Sequence, residues 1–291
     1  MAPARLCAVL LPGLLGSLTL ATGAIAQVCH PPTDSNEARL LAFYEAPVAF
    51  SPAAAPAPVA PWSVRVDAEV VPIPEPGADI SHTSLCYLSK QENTRLAPLL
   101  ARPRVTVGLP AGFAVEASYV PPIKVWDADP NLASFAVSNV QHLPFASSLG
   151  AFSLMLRVHG TIGRVKGPIT CPTKSLTTEP DQPCYGTMPS NDSFHPYMVG
   201  GEGALALASR GGHWSFYAGG GITRLTPRFQ VHFTDGFGGL DTTKVEVNLT
   251  RGAAFGGVTA HVTRAVDLSV QIYSVPADVT TFRFGAGYKL R

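Results

Sequence analysis

TTFRFGAGYKLR (Thr280–Arg291) reads as a strand with two faces. Phe282, Phe284, Ala286, Tyr288 and Leu290 alternate with Arg283, Gly285, Gly287, Lys289 and Arg291. Side chains on a strand point alternately to opposite sides, so one face is apolar and the other polar and notched by glycine. A strand of this kind needs an apolar surrounding on one side and a polar one on the other.

The same period recurs upstream. In WSVRVDAEVV (62–71), Trp62, Val64, Val66, Ala68 and Val70 oppose Ser63, Arg65, Asp67 and Glu69. RVTVGL (104–109) and GFAVEASYV (112–120) flank a tight turn at Pro110-Ala111. Further strands are predicted at 132–141, 152–163, 197–208, 213–224, 244–262, 265–274 and 279–290. A change of phase near Arg251-Gly252 predicts a bulge. The count is about ten, with twelve as the alternative if 39–46 and 80–88 also form strands. Short joins at 110–111, 209–212 and 263–264 alternate with long ones at 72–103, 121–131 and 164–196. Only 142–151 and 275–278 depart from that rule.

Composition narrows the class. Across 291 residues the formal charge is +1, and only 14% are charged, against roughly 25% in ordinary soluble domains. Neither the balance nor any aromatic-plus-basic patch points to nucleic acid. Residues 1–26 read as a signal peptide: Arg5, an apolar stretch from Ala8 to Leu20, and the small-x-small site Ala24-Ile25-Ala26. After Ala26 no apolar run approaches the ~18 residues of a membrane helix. Residues 27–61 form an N-terminal periplasmic or plug segment, with a short helix near Glu37–Tyr44 started by Asn36. It continues into the Pro/Ala-rich SPAAAPAPVAPW (Ser51–Trp62), which favours extended backbone. Residues 62–291 are the expected β-barrel. An exported β-sandwich is the rival, because alternation alone fits both.

Export places the chain where disulfides persist. Without Cys7 the cysteines are Cys29, Cys86, Cys171 and Cys184. Cys171 and Cys184 bracket a polar, Pro-containing segment and are expected to pair locally; Cys29 with Cys86 follows by elimination. That second pair conflicts with ten strands, since Cys29 would lie on one side of the membrane and Cys86 on the other. Either residues 27–61 thread the lumen or the count is wrong.

The signal peptide, the pattern from Trp62 to Leu290 and the terminal strand resemble a Gram-negative outer-membrane β-barrel protein. Such barrels close with a strand of the form Gly-x-x-apolar-x-apolar, matched by Gly285-Ala286-Gly287-Tyr288-Lys289-Leu290. Phe284, where a polar residue is usual, and the final Arg291 depart from that form. The resemblance implies an antiparallel transmembrane barrel in the cell outer membrane, lipid around it, and the barrel-assembly machinery as partner of the last strand. It leaves open whether any solute passes.

With the apolar faces toward lipid, Arg65, Asp67, Glu69, Glu116, Arg157, His159, Glu202, Asp267, Arg283 and Lys289 face the lumen. Their mixed signs favour internal salt bridges over a path selective for one ion sign. SNDSFHP (190–196) brings Asp192, Ser193 and His195 together in sequence, but neighbours in sequence rarely make a triad and no GxSxG occurs. No catalysis, cofactor or metal is expected; DADPN (127–131) lacks the glycine and glutamate of a calcium loop. A lipid hydrolase is the lesser alternative.

Overall fold

A computed structural model describes residues 27–77, 79–80, 86, 96–146 and 148–290. The predicted signal peptide, 1–26, and most of the alternative strand 80–88 lie outside the described residues. Ten long strands form one closed antiparallel sheet: β1 (Val64–Pro72), β2 (Leu99–Gly108), β3 (Phe113–Val120), β4 (Asp129–Ala146), β5 (Gly150–Gly167), β6 (Met198–Ser209), β7 (Trp214–Leu225), β8 (Leu249–His261), β9 (Val266–Val275) and β10 (Val279–Leu290). Each pairs with its neighbours in sequence, and the ring closes where β10 meets β1, from Leu290↔Val64 to Phe284↔Val70. The alternative of two sheets packed face to face is not what the chain forms.

The connections sort by length. Turns at 109–112, 148–149, 210–213 and 262–265 lie at one end of the barrel. The loops 121–128, 168–197 and 226–248, the described residues between β1 and β2, and the short join 276–278 lie at the other. The loop end carries its own structure. β4 and β5 run on as a hairpin of two 18-residue strands. Along the upper part of β5, Val165–Gly167 pairs with Asp192–Phe194. Arg228–Gln230, Lys244–Glu246 and Val28–Cys29 then add in turn.

Three expectations need correction. Arg39–Ala46, the eleventh strand of the alternative, lies in a helix, Asn36–Val48, capped by Ser35 Oγ accepting from Ala38 N at 3.2 Å. That helix runs beyond the predicted Glu37–Tyr44. The bulge near Arg251-Gly252 is absent: β8 pairs with β7 in unbroken register from Leu249↔Leu225 to Ala260↔Trp214. What changes along it is polarity. Val245, Val247 and Leu249 pack inward in the apolar core that includes the helix, and deeper in the barrel the inward positions, Phe255 apart, turn small or polar, to Gly257, Thr259 and His261. The register shift that does occur lies between His142 and Ala146. Finally, β2 begins at Leu99, five residues before the predicted start. Pro103 lies within it on the outer face.

Candidate functional site

The helix Asn36–Val48 begins at the loop end, and the chain then descends the lumen to Trp62 and β1 at the turn end. This resolves the cysteine conflict. Cys29 and Cys86 form a disulfide with Cα atoms 5.5 Å apart, and Cys29 pairs with Val245 in the loop-end sheet. Ten strands and the disulfide coexist because residues 27–61 thread the barrel.

The last carbonyls of a helix have no partner within it. Here the barrel wall supplies donors: Arg283 donates to Ala46 O at 2.8 Å and Ala49 O at 2.6 Å, and Arg102 to Val48 O at 3.0 Å and Ala49 O at 2.8 Å. Guanidinium groups are favoured here, at the negative end of the helix dipole. Below the helix the sequence is rich in proline, which keeps its carbonyl but has no N–H. The wall answers with donors again. Arg104 donates to Ser51 O at 2.7 Å, Arg157 to Phe50 O, Gln271 Nε2 to Pro52 O at 3.2 Å and Ser269 Oγ to Ala53 O at 2.6 Å. The Ala55 N–H finds Thr259 Oγ1 at 2.8 Å. Phe50 is fully buried, its ring centroid 4.0, 5.0 and 5.1 Å from the guanidinium carbons of Arg104, Arg157 and Arg102. Cation–π attraction of this kind strengthens when water is excluded.

Three glutamates interleave the four arginines. Glu69 binds Arg102 at 2.7 Å, Arg283 at 3.4 Å and also Arg104; Glu116 binds Arg104 at 2.7 Å and Arg157 at 2.9 Å; Glu202 binds Arg157 at 2.5 Å. Burying so many charges is tolerable only because each is paired and hydrogen-bonded. His159 lies 3.9 Å from Glu202. It fits because Gly200 opposite has no side chain; a Cβ there would come within 2.7 Å of Nε2. Likewise Gly219 makes room for the lumen ring of Phe255, 2.8 Å from where its Cβ would be.

A second cluster occupies the turn end. Asp267 accepts from Arg65 at 2.6 Å, Lys289 at 3.1 Å and His261 at 2.6 Å, and Arg65 also binds Asp67 at 2.7 Å. The ten residues expected in the lumen therefore divide. Glu69, Glu116, Arg157, Glu202 and Arg283, with His159 beside them, surround the plug. Arg65, Asp67, Asp267 and Lys289 lie at the turn-end mouth. Sequence reading missed Arg102, Arg104 and His261. Starting the strand at 104 left Arg102 in a loop, and Pro103 hid the alternation that continues across it.

Asp192, Ser193 and His195 do not form a triad. Asp192 is fully buried and accepts from Ile169 N, Thr170 N, Thr170 Oγ1, Ser190 Oγ and His232 N. It points to the opposite side of its strand from Ser193 and His195, and holds two loops together. Cys171–Cys184 closes the loop beside it, with Cα atoms 5.6 Å apart. Among the described residues no group of three His, Cys, Asp or Glu side chains could hold a metal ion.

The outer face is the inverse of the lumen. Val66, Val70, Val105, Val115, Phe135, Val137, Leu156, Val158, Leu205, Ile222, Leu268, Val270 and Phe284 are all exposed. Exposed aromatic residues mark both rims: Trp62, Phe113, Trp214 and Tyr288 at the turn end, and Tyr119 and Trp126 at the loop end. An exposed apolar band with aromatic girdles, on a closed sheet with a charged interior, is the surface of a barrel that spans a bilayer. The chain is a plugged transmembrane β-barrel.

No protein-family model matches the chain, and no curated protein matches it. Among solved structures it is similar to Ail, the attachment invasion locus protein of Yersinia pestis, at 10% identity and a TM-score of 0.26, over 78% of this chain and 97% of that one. It is similar to OmpT, an outer membrane protein of Vibrio cholerae, at 11% identity and 0.18, over 73% of each chain. A mutant of Rh. blastica porin matches at 9% identity and 0.19, over 79% of this chain and 98% of that one. At such values the assignment of the plugged barrel rests on its own sheet, belt and lumen.

Proposed function

We propose that this protein is an outer-membrane barrel held closed by its own N-terminal segment, acting through its structured loop end as an envelope anchor or surface-contact protein. The observation that carries this reading is the occupied lumen. Residues 46–55 meet the wall through hydrogen bonds from five strands, and the plug is tethered at both ends, by Cys29–Cys86 above and by continuity into β1 below. Outer-membrane barrels carry long loops outward and short turns toward the periplasm, which sets the loop-end sheet on the cell surface. In this reading the outer belt meets lipid, and the barrel-assembly machinery engages β10.

Single-channel recording in planar bilayers tests the closed lumen. The folded protein gives no conductance steps; regular steps overturn the reading and favour solute passage. Outer-membrane fractionation with heat-modifiable migration tests the barrel itself, and a fully soluble periplasmic protein would refute it.

A further inference from the structure

At the turn-end mouth three lumen residues, far apart in sequence, meet in a specific order. Ser215 Oγ lies 3.0 Å from His261 Nε2, and His261 Nδ1 lies 2.6 Å from Asp267 Oδ1. The strands impose this arrangement. His261 and Asp267 face each other across the turn 262–265 as a cross-strand pair, and Ser215 sits diagonally from His261, opposite Thr259 on β7. Asp267 is 1% exposed and fixed from its other side by Arg65 and Lys289. An ionised carboxylate only accepts, so Nδ1 carries the proton, and in the Nδ1–H tautomer Nε2 offers its lone pair to the serine hydroxyl. The site lies level with the plug contact of Ala55 with Thr259, the residue opposite Ser215, and opens toward the mouth, where the His261 and Lys289 side chains are 27% and 46% exposed.

We propose that Ser215, His261 and Asp267 form a hydrolytic site for carboxylic esters, reached from the turn-end mouth. Ser215 Oγ bonds to the ester carbonyl carbon while its proton passes to His261 Nε2. The tetrahedral intermediate collapses with cleavage of the carbon–oxygen bond to the leaving alcohol, which takes that proton. Water then adds to the acyl-serine and gives a proton to Nε2. The serine–acyl bond breaks, the serine oxygen recovers the proton, and a carboxylic acid leaves. Asp267 is a positioning residue that fixes the tautomer and ring orientation. Lys289, exposed beside the site, favours esters that carry a negative charge. This inference does not rest on the closed lumen: Ser215, His261 and Asp267 hydrogen-bond one another across β7, β8 and β9.

The test uses the full chain folded in detergent, with a fluorophosphonate probe and p-nitrophenyl butyrate. Mass spectrometry is expected to place the adduct on Ser215. Ser215→Ala should abolish it, and both Ser215→Ala and His261→Ala should lower ester hydrolysis by about 100-fold or more. Asp267→Asn should change the pH profile of hydrolysis as well as its rate, and Ser193→Ala should change neither label nor rate. Heat-modifiable migration verifies that each variant is folded. No Ser215 adduct on the folded protein, or hydrolysis that survives both Ser215→Ala and His261→Ala, overturns the proposal.

Discussion

The guanidinium of Arg104 lies 4.0 Å from the centroid of the Phe50 ring, and both side chains are sealed from solvent. A residue of the threading segment thus sits at the centre of the barrel's charged network. Phe50→Ala should cost about 3–5 kcal/mol, the range for deleting a buried aromatic ring. The check is the urea midpoint of the folded protein in detergent, with exposed Phe237→Ala as the reference. Equal midpoints for the two variants would mean that the plug is not anchored there.

Glu69 is the carboxylate shared by Arg102, Arg104 and Arg283. Glu69→Gln keeps the shape but leaves buried guanidinium charge uncompensated, a loss of about 3–5 kcal/mol for a broken buried pair. Glu246→Gln, whose partner Arg228 is half exposed, should cost no more than about 1 kcal/mol. Unfolding curves of the two variants, run side by side, measure the difference.

Cys29–Cys86 fastens the head of the plug to the loop 73–98. Cys86→Ser should leave the barrel folded and closed, since the contacts of residues 46–55 remain, while the backbone before Ser35 becomes faster in hydrogen exchange and open to proteases. In the loop-entropy picture the lost crosslink costs about 2–4 kcal/mol. Release of residues 46–55 as well, seen as fast exchange there, would show that the disulfide rather than the arginines retains the plug.

His195, in the loop-end sheet, has its pKa held below the ordinary 6.5, chiefly by burial and then by Arg164, Arg228 and Lys166, although Gly163 opposes the shift. For a base lowered in the folded state, the unfolded chain takes up protons first as pH falls. The contribution is therefore complete above about 6.5 and is lost as pH drops from there through the folded value. Limited proteolysis of the loop end at pH 8 and pH 5.5 should show faster cutting at the lower pH, and His195→Gln should flatten that dependence.

Much of the barrel was legible because strand faces are a local property. TTFRFGAGYKLR fixes which side of β10 is apolar, and its pairing with β1 is the closure that the pattern called for. The lumen residues read from alternation point inward for the same reason. Arg102 was lost because Pro103 interrupts the pattern without interrupting the strand; it faces outward, and β1 pairs with β2 in unbroken register on both sides of it. Helix Asn36–Val48 was anticipated, but nothing in its sequence says that it enters a barrel.

By itself, then, the sequence determined an even set of amphipathic strands, their inner and outer faces, and four cysteines that pair in two disulfides. Period-two alternation and cysteine chemistry need no knowledge of distant partners. Only the tertiary structure decided that residues 27–61 run through the lumen from the loop end, that four arginines close on the carbonyls of that segment, and that Ser215 reaches His261 and Asp267. Those relationships depend on which strands become neighbours once the sheet closes, and on what fills the space it encloses. Closure brings together residues tens to hundreds of positions apart, and a short window of sequence does not carry that information.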